Sequence, residues 1–291
     1  MAKKKNERSN SCPVPAGTLV IIGGKENKGE QPEKEVDEDA YSPLEILKSF
    51  VGFMHKKNPR LEVITTASSE GEESFKEYER LFQDLGLSDI GHIHHDSRTG
   101  VLDDSLLTRI NAADGFFFSG GDQLKLTGLY GGTKFLTALK NRYINDAIVI
   151  GGTSAGAMAL STPMIYAGNK EVEQISSEIK VTTGLEFLKD VCIDTHFVHR
   201  GRFVRMAQVI VTNPTSIGLG IEEDTAVIVR NGNETEVIGS GTVVIMEGFH
   251  IEESSILEFA EKQAISIRNL KVHLLSKGDT YDIPALNPPH H

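Results

Sequence analysis

Residues 147–160 read Ala147-Ile148-Val149-Ile150-Gly151-Gly152-Thr153-Ser154-Ala155-Gly156-Ala157-Met158-Ala159-Leu160. The apolar, β-branched opening predicts a buried strand, and the small-residue run that leaves the turn suits a helix. Between them, Gly152-Thr153-Ser154-Ala155-Gly156 has the Gly-x-Ser-x-Gly pattern of a sharp strand-to-helix turn. A serine hydroxyl is a poor nucleophile unless its oxygen is held exposed and a base takes its proton. Such a turn gives the exposure, and the helix N-terminus that follows offers free N–H groups to an oxyanion. Ser154 is the candidate nucleophile, with a purely structural turn as the competing reading.

Outward from this stretch the same alternation repeats. Thr18–Ile22 is an apolar strand ending at Gly23-Gly24, and an amphipathic helix pattern runs from Leu44 to Met54. Strands are expected at Leu61–Thr66, Ile90–His94 and Gly115–Phe118, with helices at Ser74–Leu85 and Ser105–Ala113. A helix-compatible segment from Gln123 to Tyr143 is interrupted by Gly131-Gly132. Apolar strands alternating with amphipathic helices predict an α/β fold with a doubly wound, mostly parallel sheet, whose ligands gather at the carboxyl ends of the strands. The turns after Ile22, Phe118 and Ile150 all fall at that edge. Ile217–Ile221, Ala226–Arg230 and Val243–Met246 are expected to complete the sheet as antiparallel hairpins. Residues 1–16 read as a disordered tail, Lys25–Asp39 as a solvated polar loop, and 17–291 as a single domain.

The formal net charge of -11 argues against a nucleic-acid partner, because phosphate neutralisation needs basic surface. No apolar stretch follows Met1-Ala2-Lys3-Lys4-Lys5, and no segment has the apolar length to span a bilayer, so a cytoplasmic protein with no membrane partner is expected. The two cysteines are Cys12, in a polar tail, and Cys192, in an apolar run. A disulfide framework is not expected, and Cys192 reads as a buried core thiol.

A serine nucleophile needs a histidine base, and His196 ends the apolar run Val191-Cys192-Ile193-Asp194-Thr195-His196-Phe197. His199 lies in the same turn and competes with it. His92, His94 and His95 cluster, but without cysteines they read as strand-end residues rather than a metal site. A carboxylate should fix the imidazole tautomer, and Glu222, Glu223 and Asp224 all follow the Ile217–Ile221 strand. The order serine, histidine, acid differs from that of α/β-hydrolases, chymotrypsin and subtilisin, which disfavours an ordinary esterase. Gly121 and Ala155 are the candidate oxyanion-hole donors. Arg200, Arg202 and Arg205 follow the histidine directly, and their planar guanidinium groups suit carboxylate recognition.

Four motifs now stand in order: Gly120-Gly121-Asp122-Gln123, Gly151-Gly152-Thr153-Ser154-Ala155-Gly156-Ala157, Asp194-Thr195-His196-Phe197 with Arg200, Arg202 and Arg205, and Gly220-Ile221-Glu222-Glu223-Asp224-Thr225-Ala226. Together they resemble the cyanophycinases, in the peptidase family that also contains the aspartyl dipeptidase peptidase E. The resemblance implies a fold like the class I glutamine amidotransferases, of flavodoxin-like type, with serine in place of the cysteine. It implies Ser154 as nucleophile, His196 as base and Glu223 as orienter. It places Gln123, Asp194, Thr195, Arg200, Arg202 and Arg205 in the substrate pocket and calls for no metal or organic cofactor. The implied reaction releases β-aspartyl-arginine dipeptides from multi-L-arginyl-poly-L-aspartate, and relatives of this kind commonly form homodimers. One position departs: Thr195 stands where the cyanobacterial enzymes carry glutamine in Asp-Gln-His-Phe. Two other readings compete, an α-aspartyl dipeptidase and a non-catalytic binding module of the same fold.

Overall fold

Leu19 and Ile21 face one way along the first strand, Val20 and Ile22 the other, and all four are fully buried. A strand covered on both faces belongs at the centre of a sheet layered between helices. The computed structural model describes residues 13–29, 44–167, 179–258 and 265–284. The expected tail at residues 1–16 and the polar stretch Lys25–Asp39 lie largely outside these residues.

Five parallel strands form the central layer: β1 (Thr18–Ile22), β2 (Arg60–Ile64), β3 (Asp89–Ile93), β4 (Gly115–Phe118) and β5 (Val149–Thr153). Their spatial order is β1-β5-β4-β2-β3. The helices are α1 (Glu45–Gly52), α2 (Gly71–Asp84), α3 (Arg98–Val101), α4 (Ser105–Ala112), α5 (Gln123–Tyr130) and α6 (Lys134–Asn145). Val20, Val63 and Phe117 pack with Phe50 of α1 and Phe82 of α2 on one face. Leu19, Phe116, Phe118 and Ile150 pack with Ile110 of α4, Leu126 of α5 and Leu139 of α6 on the other. The segment from Gln123 onward is two helices, separated at Gly131-Gly132 where the sequence pattern breaks.

The second half begins with α7 (Ala155–Ala159), β6 (Ser161–Thr162), β7 (Met164–Ala167), β8 (Lys180–Thr182), β9 (Leu188–Lys189), β10 (Val191–Thr195) and α8 (Phe203–Thr212). The remaining strands are β11 (Ile217–Ile221), β12 (Thr225–Arg230), β13 (Glu234–Gly239), β14 (Val243–Glu247), β15 (Glu253–Ser254), β16 (Ile267–Arg268), β17 (Lys271–Leu275) and β18 (Thr280–Asp282). Here the fold departs from the expectation of hairpins completing one sheet. Strands β12, β13 and β18 extend the first sheet antiparallel beyond β1, giving eight strands. Strands β11 and β14 belong to a second sheet of six, ordered β17-β14-β11-β10-β6-β9, in which β11 runs parallel to β10.

The chain changes sheets within three residues, Glu222-Glu223-Asp224, where Asp224 takes a left-handed turn at φ 47. The two sheets share one apolar core, since Leu19 and Ile150 of the first pack in a continuous cluster with Ile193, Leu219 and Ile245 of the second. The architecture is a mixed, sheet-rich α/β fold. No helix of the described residues is long and apolar enough to cross a membrane. Cys192 is a free, fully buried thiol whose pKa is pushed up by burial, as its apolar context suggests.

Candidate active site

Strand β5 runs through the glycines to Thr153, three residues past the expected end at Ile150, and delivers Ser154 to the first turn of α7. Ser154 sits at φ 52 and ψ -117, a conformation that costs a non-glycine residue about 1–3 kcal/mol and persists only where its surroundings enforce it. The surroundings are tight. A Cβ on Gly152 would lie 2.7 Å from the Gly156 carbonyl carbon, and one on Gly156 would lie 2.3 Å from the Phe118 carbonyl oxygen. Both glycines of the turn are therefore required by close backbone approach.

The structure brings His196, and not His199, to the serine. His196 follows β10 at φ 49, with its Nε2 3.0 Å from Ser154 Oγ. Its Nδ1 lies 2.7 Å from Glu223 Oε1. A carboxylate only accepts, so Nδ1 carries the hydrogen and Nε2 presents its lone pair to the hydroxyl. Burial pushes the His196 pKa below its ordinary value, with Arg200 and Arg202 adding to the shift and Glu223 opposing it. For Glu223, burial works to raise the pKa, but hydrogen bonds from His196 and Lys25 outweigh it and hold the carboxyl below its usual range.

The three acidic residues at the sheet change have separate partners. Glu222 Oε2 accepts from the backbone N–H groups of Val198 and His199, at 2.5 and 3.0 Å, and so fastens the turn that carries His196. Asp224 Oδ1 accepts from the Asn27 N–H at 2.7 Å, and Oδ2 accepts from the Ser240 hydroxyl at 2.7 Å. The side chains of His199, Glu222 and Glu223 gather closely enough to surround a cation, but both glutamates already hold the partners just named. The other histidine cluster is hydrogen-bonded: the Thr65 hydroxyl lies 2.7 Å from His92 Nε2 and 3.0 Å from His94 Nδ1, and His95 Nδ1 lies 3.1 Å from the Tyr130 hydroxyl.

The turn after β1 holds the whole array. The Ile22 carbonyl accepts from Ser154 N at 3.1 Å, the Gly23 carbonyl from His196 N at 2.9 Å, and the Gly24 carbonyl from Asp224 N at 2.9 Å. Three successive carbonyls thus fasten the three segments that bear serine, histidine and acid. The sequence marks Gly23-Gly24 as a turn but carries no sign of these partners, because each lies more than a hundred residues away.

The remaining expected site residues divide. Gly120 abuts the serine, since a Cβ there would lie 3.4 Å from Ser154 Cβ, and Gly121 follows at φ 138. Ala155 is the first residue of α7. Gln123 is half-buried, and its amide donates to the Ile165 carbonyl at 2.8 Å. Arg200 is exposed. Asp194 and Thr195, expected in the pocket, are instead both 0% exposed. The Asp194 carboxylate is enclosed by guanidinium groups, at 2.7 Å from Arg202 Nη1 and 2.5 Å from Arg205 Nε, with Arg205 Nη2 also in contact. A carboxylate inside an apolar strand needs such partners. Thr195 Oγ1 is buried and has no hydrogen-bond partner among the described residues.

The sequence profile of peptidase family S51 matches residues 36–237, which include the serine, the histidine and the acidic run. The chain belongs to peptidase family S51. It is a serine-type peptidase, a hydrolase. Among similar proteins, the cyanophycinase of Synechococcus elongatus is 31% identical over 274 residues, covering 94% of this chain and 81% of that protein. The cyanophycinase of Trichormus variabilis is 26% identical over 296 residues, covering 97% and 95%. In fold, the chain is similar to a peptidase from an acI-B1 Actinobacterium, with a TM-score of 0.62 at 20% identity over 93% of this chain and 98% of that one.

Proposed function

We propose that this S51 peptidase cleaves multi-L-arginyl-poly-L-aspartate, releasing β-aspartyl-arginine dipeptides through an acyl-enzyme on Ser154. The observation that carries the chemistry is the unbroken line from Ser154 Oγ through His196 to Glu223, at 3.0 and 2.7 Å. His196 Nε2 takes the hydroxyl proton as Oγ bonds to the scissile carbonyl carbon. The oxyanion that forms faces the N–H groups of Gly121 and Ala155. Its collapse breaks the C–N bond, and His196 gives the proton to the departing amine. Water then adds to the acyl-serine with His196 again as base, which releases the new carboxylate and restores the hydroxyl.

The cyanophycinase relatives support the substrate. Arg200 is exposed on the turn after His196, and Arg202 and Arg205 together exceed the single charge of Asp194 that they enclose, so the surroundings of His196 stay net positive, which suits a polyaspartate chain. The parallel β1–β5 sheet with its nucleophile between strand and helix supports the finer reading of a glutamine amidotransferase-like fold, with serine in place of cysteine. The core shared by both sheets supports a single hydrolytic domain over residues 17–291.

The test is incubation of purified protein with the polymer, reading soluble products by mass spectrometry, with Ser154→Ala as control. Release of β-aspartyl-arginine by the unmodified protein alone is the expected result. Fluorophosphonate labelling of Ser154 without release would move the substrate to aspartyl dipeptides, and the absence of both labelling and release would overturn the assignment of Ser154 as nucleophile.

A further inference from the structure

Six consecutive residues, Ile22 to Asn27, each contact a segment bearing part of the serine–histidine–glutamate array. Ile22, Gly23 and Gly24 do so through their carbonyls and Asn27 through its N–H, as described above. The two between them act through side chains of opposite charge that point opposite ways. Glu26, 4% exposed, accepts from the Thr153 hydroxyl at 2.7 Å and from the Tyr78 hydroxyl at 2.6 Å. It therefore anchors the residue before the nucleophile to α2. Lys25 turns outward, and its Nζ lies 3.2 Å from Glu223 Oε2.

We infer that Lys25 is a positioning residue for the proposed triad, its ammonium engaging the Glu223 oxygen that His196 does not use and so weakening the carboxylate's hold on the imidazolium. Two observations carry this. The first is the division of Glu223, with Oε1 on the imidazole and Oε2 on the ammonium. The second is the backbone: Lys25 sits at φ 44 directly after Gly24 at φ 99. A left-handed position in a tight turn favours glycine or asparagine, so a lysine held there is strained, and strain of this kind collects at functional sites. The inference rests on the proposed triad.

The groups facing His196 and Glu223 give the expected sign. Arg200 and Arg202 face the imidazole, Lys25 faces the carboxylate, and Glu222 and His199 stand beside it. Glu26 points away toward Tyr78. Removing the Lys25 charge strengthens the pull of Glu223 on the imidazolium, with Arg200 and Arg202 still repelling it, so the His196 pKa should rise. Because the Lys25 side chain is 63% exposed, solvent screens the pair and the shift should be about half a pH unit or less.

The test compares the unmodified protein with Lys25→Met and Lys25→Arg in low salt. His196 is titrated by NMR, with the resonance assigned through His196→Gln, and the pH dependence of Ser154 labelling by a fluorophosphonate is followed in parallel. An upward shift in Lys25→Met, restored in Lys25→Arg and erased for Lys25→Met against wild type in roughly 0.5 M salt, supports the inference. Coincident titration curves for all three would overturn it while Ser154 labelling left the hydrolase reading intact. A shifted titration with no labelling of the unmodified protein would sustain the Lys25–Glu223–His196 coupling and overturn the nucleophile instead. Should Lys25→Met fail to fold, Lys25→Gln removes the same charge and is read against the same criteria.

Discussion

Gly24 lies so close beneath His196 that a Cβ on it would fall 2.4 Å from the ring Cε1 and 2.5 Å from Nε2. The imidazole rests on backbone. At φ 99 the position also disfavours any L side chain, so Gly24→Ala combines strain with a steric push on the ring. Displacing the base by about 1 Å is enough to cost about 100-fold in rate. We expect Gly24→Ala to lower fluorophosphonate labelling of Ser154 by at least about that factor, with a folded far-UV CD spectrum. Labelling at the unmodified rate would show that His196 does not activate the serine.

The two neighbouring glutamates should separate cleanly under the same substitution. Glu223→Gln presents an amide to His196 Nδ1 and removes the charge that favours the imidazolium, so kcat should fall by about 100- to 10,000-fold. Glu222→Gln keeps a side-chain oxygen able to accept from the Val198 and His199 N–H groups, so its cost should be far smaller. Glu222→Ala removes that acceptor altogether. It should lower the melting temperature as well as the rate, because the turn carrying His196 loses two hydrogen bonds at once. Equal losses in Glu222→Gln and Glu223→Gln would contradict the assignment of the orienter.

Much of this was legible in the chain, and what was hidden has a common cause. Thr18–Ile22 and Gly115–Phe118 announce themselves as strands because an apolar run has few other fates. The serine turn shows in its glycines. The division of β11 and β12 between two sheets does not show, since both are apolar runs and the switch depends on the left-handed turn at Asp224. Lys25 and Glu26 open a charge-dense stretch, and charge density alone reads as a solvated loop. Asp194 did carry a signal: a carboxylate within Val191-Cys192-Ile193 predicts a buried cation partner, and the arginines that satisfy it lie 8 and 11 residues on. Distance along the chain conceals such partners more than chemistry does.

That buried charge cluster makes a prediction about stability. Asp194 is 0% exposed and faces two guanidinium groups whose side chains are 15% and 17% exposed. Asp194→Asn leaves two mostly buried cations facing a neutral amide, and breaking a buried pair in this way typically costs about 3–5 kcal/mol. Arg205→Met should cost less, because Arg202 still neutralises the carboxylate. The double variant should be less destabilised than the sum of the two, as measured by urea unfolding in a double-mutant cycle. Additive losses would show that the pairing contributes little.

The pH profile follows from the environment of His196. Burial disfavours the imidazolium, Arg200 and Arg202 repel it, and Glu223 only partly compensates, so the pKa lies below its ordinary value. The base acts in its neutral form. Activity should therefore be full above that pKa and fall as pH drops through it, giving an acid limb centred below the usual histidine value of about 6.5. Glu223, itself held below the usual carboxylate range, stays ionised through this window and adds no second step there. Arg200 is the exposed member of the set, and Arg200→Gln removes one of the repelling charges. The limb in Arg200→Gln should consequently move to higher pH, and added salt should shrink the difference by screening the exposed guanidinium. Labelling of Ser154 by a fluorophosphonate is the appropriate readout, because it reports the nucleophile without requiring Arg200 to bind substrate. A limb that stays fixed in Arg200→Gln would mean that desolvation of the ring, and not the neighbouring cation, sets the pH at which the serine becomes reactive.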